Sequence, residues 1–153
     1  MKFTIKKARH FSRPFRLRFQ RSITKLVRID ESWIYDETKQ IFPGWNKLIG
    51  IADGFHQQHS NRIVWRCLEG KIAFGHLFYR HGNWAVCEFL PHRSVGDVLL
   101  VNVRNTKNSY VARVGGSFSS FNRTGWGLSY LLTPYFGGRE TAPHDMIFEF
   151  FNV

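Results

Sequence analysis

The sequence is poor in acidic residues and cysteine, and it lacks long apolar runs. Its 153 residues include 11 Asp and Glu against 22 Lys and Arg, so the formal net charge is +11. No segment approaches the roughly 18 apolar residues of a membrane-spanning helix. Residues 1–28 also lack the continuous apolar region of a secretory signal. Neither a membrane span nor export through a cleaved signal is predicted.

Two cysteines are too few for a disulfide framework. Cys67 and Cys87 both fall in strand-like runs. We therefore expect two buried free thiols.

Positive charge is concentrated at the start of the chain. Ten Lys and Arg residues precede the first acidic residue, Asp30. Such a surface attracts polyanions such as nucleic acid, anionic lipid, acidic glycans or an acidic protein face. The basic N-terminal segment 1–28 is expected to present a basic face formed by Arg13, Arg16, Arg18, Arg21 and Lys25.

Apolar and polar residues alternate with a period of two, which is typical of half-buried β-strands. In Phe15-Arg16-Leu17-Arg18-Phe19 the three apolar side chains are expected to enter a core while the arginines face out. Eight further strand-like runs span Asn46 to Asp53, Arg62 to Leu68, Lys71 to Tyr79, Trp84 to Leu90, Asp97 to Arg104, Ser109 to Val114, Trp126 to Leu132 and Met146 to Phe151. Their spacing predicts an all-β, antiparallel two-sheet sandwich of jelly-roll or concanavalin A-like type, forming a single domain over residues 1–153.

Turn residues separate these runs. Glu69-Gly70, Arg80 to Asn83, and Asn105 to Asn108 tolerate tight turns, so each is expected to close a hairpin. No window has a sustained helical period, although Asp30 to Thr38 has room for a short turn.

Four stretches resemble small uncharacterised proteins of Bacteroides-group gut bacteria and their tailed phages. They are Ile5 to Ser12, Asn46 to His56, Ser60 to Arg66 and Pro134 to Asp145. The resemblance implies a concanavalin A-like lectin or glucanase sandwich in which a Tyr-Phe-Gly-Gly loop precedes a late core strand. With no secretory signal, it also implies a cytoplasmic or virion location.

Metal and cofactor chemistry is not predicted. A zinc site would need three or four converging ligands, but a His-x-x-His pair on a loop does not aim two rings at one point. The possible donors are Asp53, His56, His59, His144 and Asp145. The chain also lacks a Gly-x-Ser-x-Gly elbow and a phosphate-binding loop.

Glycosidase and lyase chemistry have weak support. Glu88 and Glu149 are the acidic residues placed mid-strand among apolar neighbours, and each is expected to point outward rather than form a catalytic pair. Tyr135, Arg139 and His144 form a conceivable trio for a polysaccharide lyase. No catalytic residue is assigned.

Aromatic residues near strand ends favour binding, because flat rings pack against sugars or bases. Trp65 is expected in the core. The favoured function is a non-catalytic recognition module for a glycan. The alternatives are a phage virion or assembly protein docking its basic face on an acidic partner or nucleic acid, and a polysaccharide lyase or glycosidase. The predicted ligand-binding residues are Trp45, Trp126, Tyr135, Arg139 and His144.

Overall fold

The protein is an all-β antiparallel sandwich, which confirms the predicted fold class. The computed structural model describes residues 1–14 and 16–153. A seven-stranded sheet has the order β10-β9-β8-β3-β12-β1-β2, and a five-stranded sheet has the order β11-β4-β5-β6-β7. The strands are β1 Lys2–Ile5, β2 Ser12–Arg13, β3 Ser22–Arg28, β4 Asn46–Asp53, β5 Ser60–Leu68, β6 Lys71–Arg80, β7 Asn83–Arg93, β8 Val98–Asn105, β9 Ser109–Val114, β10 Ser117–Asn122, β11 Ser129–Leu132 and β12 Met146–Phe151.

Aromatic rings fill the space between the sheets. Trp33 and Trp65 lie with ring centroids 5.0 Å apart, and Trp33 is also 5.0 Å from Phe148. Trp33 comes from a short 3-10 helix, Glu31–Trp33, capped by the Asp30 side chain, and its indole donates to the Ile147 carbonyl at 2.7 Å. The predicted core position of Trp65 is confirmed. The short turn expected between Asp30 and Thr38 corresponds to this helix and a second one, Glu37–Lys39.

Two of the predicted hairpins have the expected turn geometry. Glu69 and Gly70 have φ of 49° and 76°, and His81 and Gly82 have φ of 51° and 78°. Positive φ at both central residues is the signature of a type I′ turn, whose twist matches that of paired strands. The turn residues themselves therefore favour the hairpins β5–β6 and β6–β7.

The strand predicted over residues 15–19 is wrong. Phe15 lies outside the described residues, and residues 16–18 form no strand. Leu17 and Phe19 are 60% and 59% exposed instead of entering the core. This segment reaches the edge of β11 only through backbone bonds, from Leu131 N to the Arg18 carbonyl and from Gln20 N to the Ser129 carbonyl. No facing sheet covers the Leu17 and Phe19 side chains, so their alternation with arginine does not produce burial.

Four strands were missed: β1, β2, β3 and β10. The apolar alternation of β3 is interrupted by Lys25, and β10 is rich in serine. The predicted strand at Trp126 begins only at Ser129. Cys67 is buried as expected, but Cys87 is only half-buried because β7 is an edge strand. Within the described residues no helix is long and apolar enough to cross a membrane.

Candidate functional site

The outer face of the five-stranded sheet, turned away from the seven-stranded sheet, carries an unusual set of side chains. Ile63 and Trp65 of β5 pack in the core. Because successive side chains alternate between faces, Arg62 and Val64 project outward. The strand register aligns outward residues in rows that cross the sheet. One row is Tyr130, Ala52, Ser60, Tyr79 and Trp84, and the next is Leu132, Gly50, Arg62, Leu77 and Val86.

Arg62 lies nearly buried in the middle of this face, with 9% of its surface exposed. Its Nε donates to Ser60 Oγ at 3.2 Å and its Nη2 donates to the His56 carbonyl at 3.1 Å. Its guanidinium carbon is 5.5 Å from the centre of the Tyr79 ring. A Cβ on Gly50 would lie 2.7 Å from Arg62 Cγ, so a glycine is needed beneath this side chain. Burial lowers the pKa of Arg62 to about 10.

Lys47 is the second cation of the face. Its Nζ donates to the Gly137 carbonyl at 2.8 Å and lies 5.5 Å from the centre of the Tyr135 ring. Burial, and then the charge of Arg62, lower the pKa of Lys47 to about 8. Lys47 therefore carries a positive charge at neutral pH that is readily lost above it.

Three tyrosines surround the two cations. Tyr135 pairs with Lys47 along the backbone, and its ring stacks on His10 with centroids 5.3 Å apart. The Tyr130 hydroxyl is 3.1 Å from His56 Nδ1. Burial and the charge of Arg62 lower the pKa of the His56 imidazole. We call the set of Lys47, Arg62, Tyr79, Tyr130 and Tyr135 the cation–tyrosine site.

Neither cation of this site has a carboxylate partner in the part of the chain that the structure describes. Among the described residues, the ion pairs involve other side chains, and Arg62 Nη1 makes no hydrogen bond. A buried charge is costly when it lacks a counter-charge. An arrangement of this kind is typical of a site that receives its counter-charge from an anionic ligand.

The predicted ligand-binding residues are mostly dispersed. Tyr135 belongs to the cation–tyrosine site. Trp45 is half-buried beneath the Arg66 guanidinium, 5.5 Å from its ring centre. Arg139 lies over the ring of Phe42 at 5.1 Å. These contacts anchor Trp45 and Arg139 to other parts of the surface.

His144 and Trp126 also lie elsewhere. His144 Nε2 donates to the Ser32 carbonyl at 2.8 Å. Trp126 is 90% exposed on the loop before β11, and Phe55 is 85% exposed on the loop after β4. Their loops touch, since a Cβ on Gly127 would lie 2.6 Å from Gly54 Cα. The conceivable trio of Tyr135, Arg139 and His144 therefore makes three separate sets of contacts.

The possible metal donors are held in other interactions. Asp53 pairs with Arg123, His59 Nδ1 is 2.9 Å from Thr124 Oγ1, and Asp145 pairs with Lys6 at 2.6 Å. Within residues 1–14 and 16–153, no group of three or more His, Cys, Asp or Glu side chains is placed to hold a metal.

The two mid-strand glutamates lie on different sheets. Glu88 of β7 pairs with His92, and Glu149 of β12 pairs with Lys2, each at 2.8 Å. They are partly exposed and face solvent.

The predicted basic residues are spread over several elements. Arg13 belongs to β2, whereas Arg16, Arg18 and Arg21 lie between β2 and β3. Lys25 lies on β3 and donates to Asn152 Oδ1 at 2.6 Å. The four arginines are exposed, and the basic residues thus lie on several elements rather than on one strand surface.

Sequence reasoning missed Lys47 and Arg62, because a cation on a strand is most often a solvated side chain. The scarcity of acidic residues on these strands was the one signal in the sequence that pointed to unpaired cations. Strands β4 to β6 contain Lys47, Arg62 and further basic residues, but Asp53 is their only acidic residue. An outward-facing cation on a buried strand therefore had few possible partners.

Comparison with known proteins relates the chain to one fold. No protein-family model and no curated protein sequence matches it. Over 96% of its length it superposes on domains LG4-5 of the mouse laminin alpha1 chain, with a TM-score of 0.50 and 15% identity, and it spans 40% of that structure. It also matches the carbohydrate binding module CBM66 from Bacillus subtilis over 92% of its length and 76% of that structure, with a TM-score of 0.44 and 9% identity. The laminin likeness shows a shared sandwich fold.

Proposed function

We propose that this protein is a non-catalytic recognition module that binds an acidic glycan at the cation–tyrosine site. The observation that carries the proposal is the pair of cations, Lys47 and Arg62, held without a carboxylate partner between three tyrosines. A carboxylate or sulfate group of the ligand supplies the missing counter-charge. The tyrosine rings offer flat faces for the apolar sides of sugar rings.

The experiment that tests the proposal is a binding titration with a panel of polysaccharides. Polygalacturonate, alginate, hyaluronan and chondroitin sulfate provide acidic ligands, and dextran and starch provide neutral controls. We expect at least one acidic polysaccharide to bind and the neutral ones not to bind. Binding to neutral and acidic polysaccharides alike, or to none, contradicts the proposal.

Replacing Lys47 with methionine is expected to weaken binding of the acidic polysaccharide by about 10- to 100-fold, because a charge-assisted hydrogen bond contributes about 1.5 to 3 kcal/mol. Isothermal titration calorimetry measures the change. Lys71→Met, at an exposed lysine on the start of β6, is the matched control and should bind like the parent protein. Equal losses in both variants would show that only overall charge matters.

The pH dependence of binding follows from Lys47. With the pKa of Lys47 lowered to about 8, its charge is present at neutral pH and is lost as the pH rises through that value. The neighbouring Arg62 stays charged over this range, and the ligand carboxylates stay ionised. Affinity should therefore fall above about pH 8, whereas Lys47→Arg should keep its affinity there. If the affinity of the parent protein does not change with pH, this role of Lys47 is wrong.

The loop aromatics define a different location for the same function. If sugar rings stack on the exposed Trp126, as the sequence predicts, Trp126→Ala will abolish binding while Lys47→Met will leave it intact. If the cation–tyrosine site binds the ligand, the two variants will show the opposite pattern. Measuring both variants thus shows which of the two surfaces binds the ligand.

Docking on an acidic protein or on nucleic acid through the basic face is the alternative from the sequence. It predicts that a double-stranded DNA probe binds more tightly than any polysaccharide. Such binding should weaken in Arg16→Ala and Arg18→Ala, whose exposed side chains lie outside the cation–tyrosine site, and should not respond to Lys47→Met.

A lyase is the second candidate, favoured by the hydrogen bond between His56 and Tyr130 beside Arg62. In β-elimination a base removes the proton next to the carboxylate, and the bond to the leaving glycosidic oxygen breaks as a C=C bond forms and that oxygen takes a proton. A neutral imidazole and a phenol can make these transfers. Unsaturated chain ends, detected by ultraviolet absorbance in the panel above, would replace the non-catalytic proposal with this activity.

A further inference from the structure

Aromatic rings extend from the cation–tyrosine site to both edges of the five-stranded sheet. On one side, Phe19 is directly opposite Tyr130 in an antiparallel bridge. On the other, Trp84 is directly opposite Tyr79. Directly opposite residues project to the same face of a sheet. The row that crosses the outer face therefore runs from Phe19 through Tyr130 and Tyr79 to Trp84.

The length of this row is set by the sheet. From Phe19 to Trp84 the row crosses five strand-to-strand steps, each about 4.8 Å, and so spans about 24 Å. That distance is several times the size of one sugar ring. The two ends are the open parts of the row, since Phe19 and Trp84 are 59% and 60% exposed.

The middle of the row is covered, whereas its two ends are open. Ala52 and Ser60, the two residues between Tyr130 and Tyr79, are small and fully buried. Arg62 lies against this part, since its Nε donates to Ser60 Oγ. The row therefore places aromatic rings on either side of a cation, and an anionic group at the centre can be held while neighbouring units contact the rings.

A surface groove of about 310 Å³ lies beside the β6–β7 hairpin, and the inward-facing Phe78 and Ala85 form part of its lining. Trp84 lines it together with Arg80, His81, Asn83 and Thr124. The Arg80 guanidinium lies 5.0 Å from the centre of the Phe78 ring. At the Phe19 end of the row the exposed Arg18 directly precedes Phe19. Side chains of successive residues alternate between faces, so Arg18 and Arg80 project away from the face that carries Phe19 and Tyr79, and the cations beside the row are those at its centre.

We infer that the ligand is an extended polymer of acidic sugars that lies along the row from Phe19 to Trp84, at right angles to the strands. This inference rests on the proposed function, since it takes the cation–tyrosine site as the centre of the binding surface. A single acidic sugar contacts only the central tyrosines and cations. A chain of several units also covers Phe19 and Trp84, so the protein selects the interior of a polymer rather than one terminal sugar.

The test uses oligosaccharides from dimer to octamer, prepared from the acidic polysaccharide that binds most tightly in the panel. We expect affinity to rise with length until the oligomer spans the row and then to stay constant. Phe19→Ala and Trp84→Ala should each weaken binding of the octamer by about 3- to 10-fold, the effect of losing one ring contact. Both variants should leave binding of the dimer unchanged.

Phe118→Ala is the matched control, because Phe118 is an exposed aromatic residue on β10 of the other sheet. It should bind dimer and octamer like the parent protein. A dimer that binds as tightly as the octamer, or an octamer that is insensitive to both Phe19→Ala and Trp84→Ala, overturns the inference while the proposed function stands. If oligomers of all lengths fail to bind although the polysaccharide binds, the inferred row is also wrong. A failure of the whole panel overturns the proposed function and the inference with it.

Discussion

Replacing Arg123 with methionine is expected to lower the free energy of unfolding by about 3 to 5 kcal/mol, because it leaves a buried carboxylate without its counter-charge. Arg123 Nη2 donates to Asp53 Oδ1 at 2.6 Å and its Nε donates to Asp53 Oδ2 at 2.7 Å. The Tyr110 hydroxyl donates to the same carboxylate at 3.0 Å. The Asp53 side chain is fully buried, so water cannot replace the guanidinium.

Urea unfolding followed by tryptophan fluorescence measures this loss. Arg113→Met is the control, since Arg113 is exposed and its guanidinium makes only a contact 5.8 Å from the Phe118 ring centre. It should change stability by less than about 0.5 kcal/mol. Adding Asp53→Asn to Arg123→Met should recover part of the loss, because the amide carries no charge. A small loss in the Arg123 variant would mean that Asp53 is not buried as described.

Replacing Arg62 with methionine is expected to separate stability from binding. The guanidinium is nearly buried and lacks a carboxylate partner, so its removal takes away an uncompensated charge rather than an ion pair. A buried charge without a counter-charge is itself costly, and its removal leaves no opposite charge unpaired. We expect the free energy of unfolding to stay constant or rise, whereas affinity for the acidic polysaccharide falls by about 100-fold or more, the effect of losing a bidentate charged contact.

Both quantities are measured on the same protein, by urea unfolding and by calorimetric titration. Arg113→Met again serves as the matched control and should alter neither. If Arg62→Met strongly destabilises the fold, Arg62 has a structural role through Ser60 and the His56 carbonyl instead. If the variant folds normally and still binds the polysaccharide tightly, the cation–tyrosine site is not the binding site.

Local patterns predicted the sandwich well where one strand face packs on the core. The run from Asp97 to Arg104 alternates because one face of β8 meets the opposite sheet, and Glu69-Gly70 closes the β5–β6 hairpin through its own backbone preference. The same rule failed over residues 15–19. The apolar side chains of an alternating run are buried only where a second sheet faces them. Leu17 and Phe19 lie along an edge of the five-stranded sheet and stay exposed.

The predicted ligand-binding residues and the cation–tyrosine site overlap at one residue. Tyr135 was identified, but Lys47 and Arg62 were not, and Trp45, Arg139 and His144 make contacts elsewhere. Whether a lysine or arginine on a strand is solvated depends on what surrounds it. That surrounding includes the His56 loop and the residues near Tyr135, which are far from Lys47 and Arg62 in sequence.

The sequence by itself determined the class of fold, the positions of most strands and the excess of positive charge, because these depend on residue type and on contacts within a few positions. Only the tertiary structure decided that Lys47 and Arg62 share one face without an acidic partner, and that Phe19, Tyr130, Tyr79 and Trp84 fall in one row. Strand order and register bring these residues together across the sheet, and pairing between distant strands is not encoded in any local stretch of the chain.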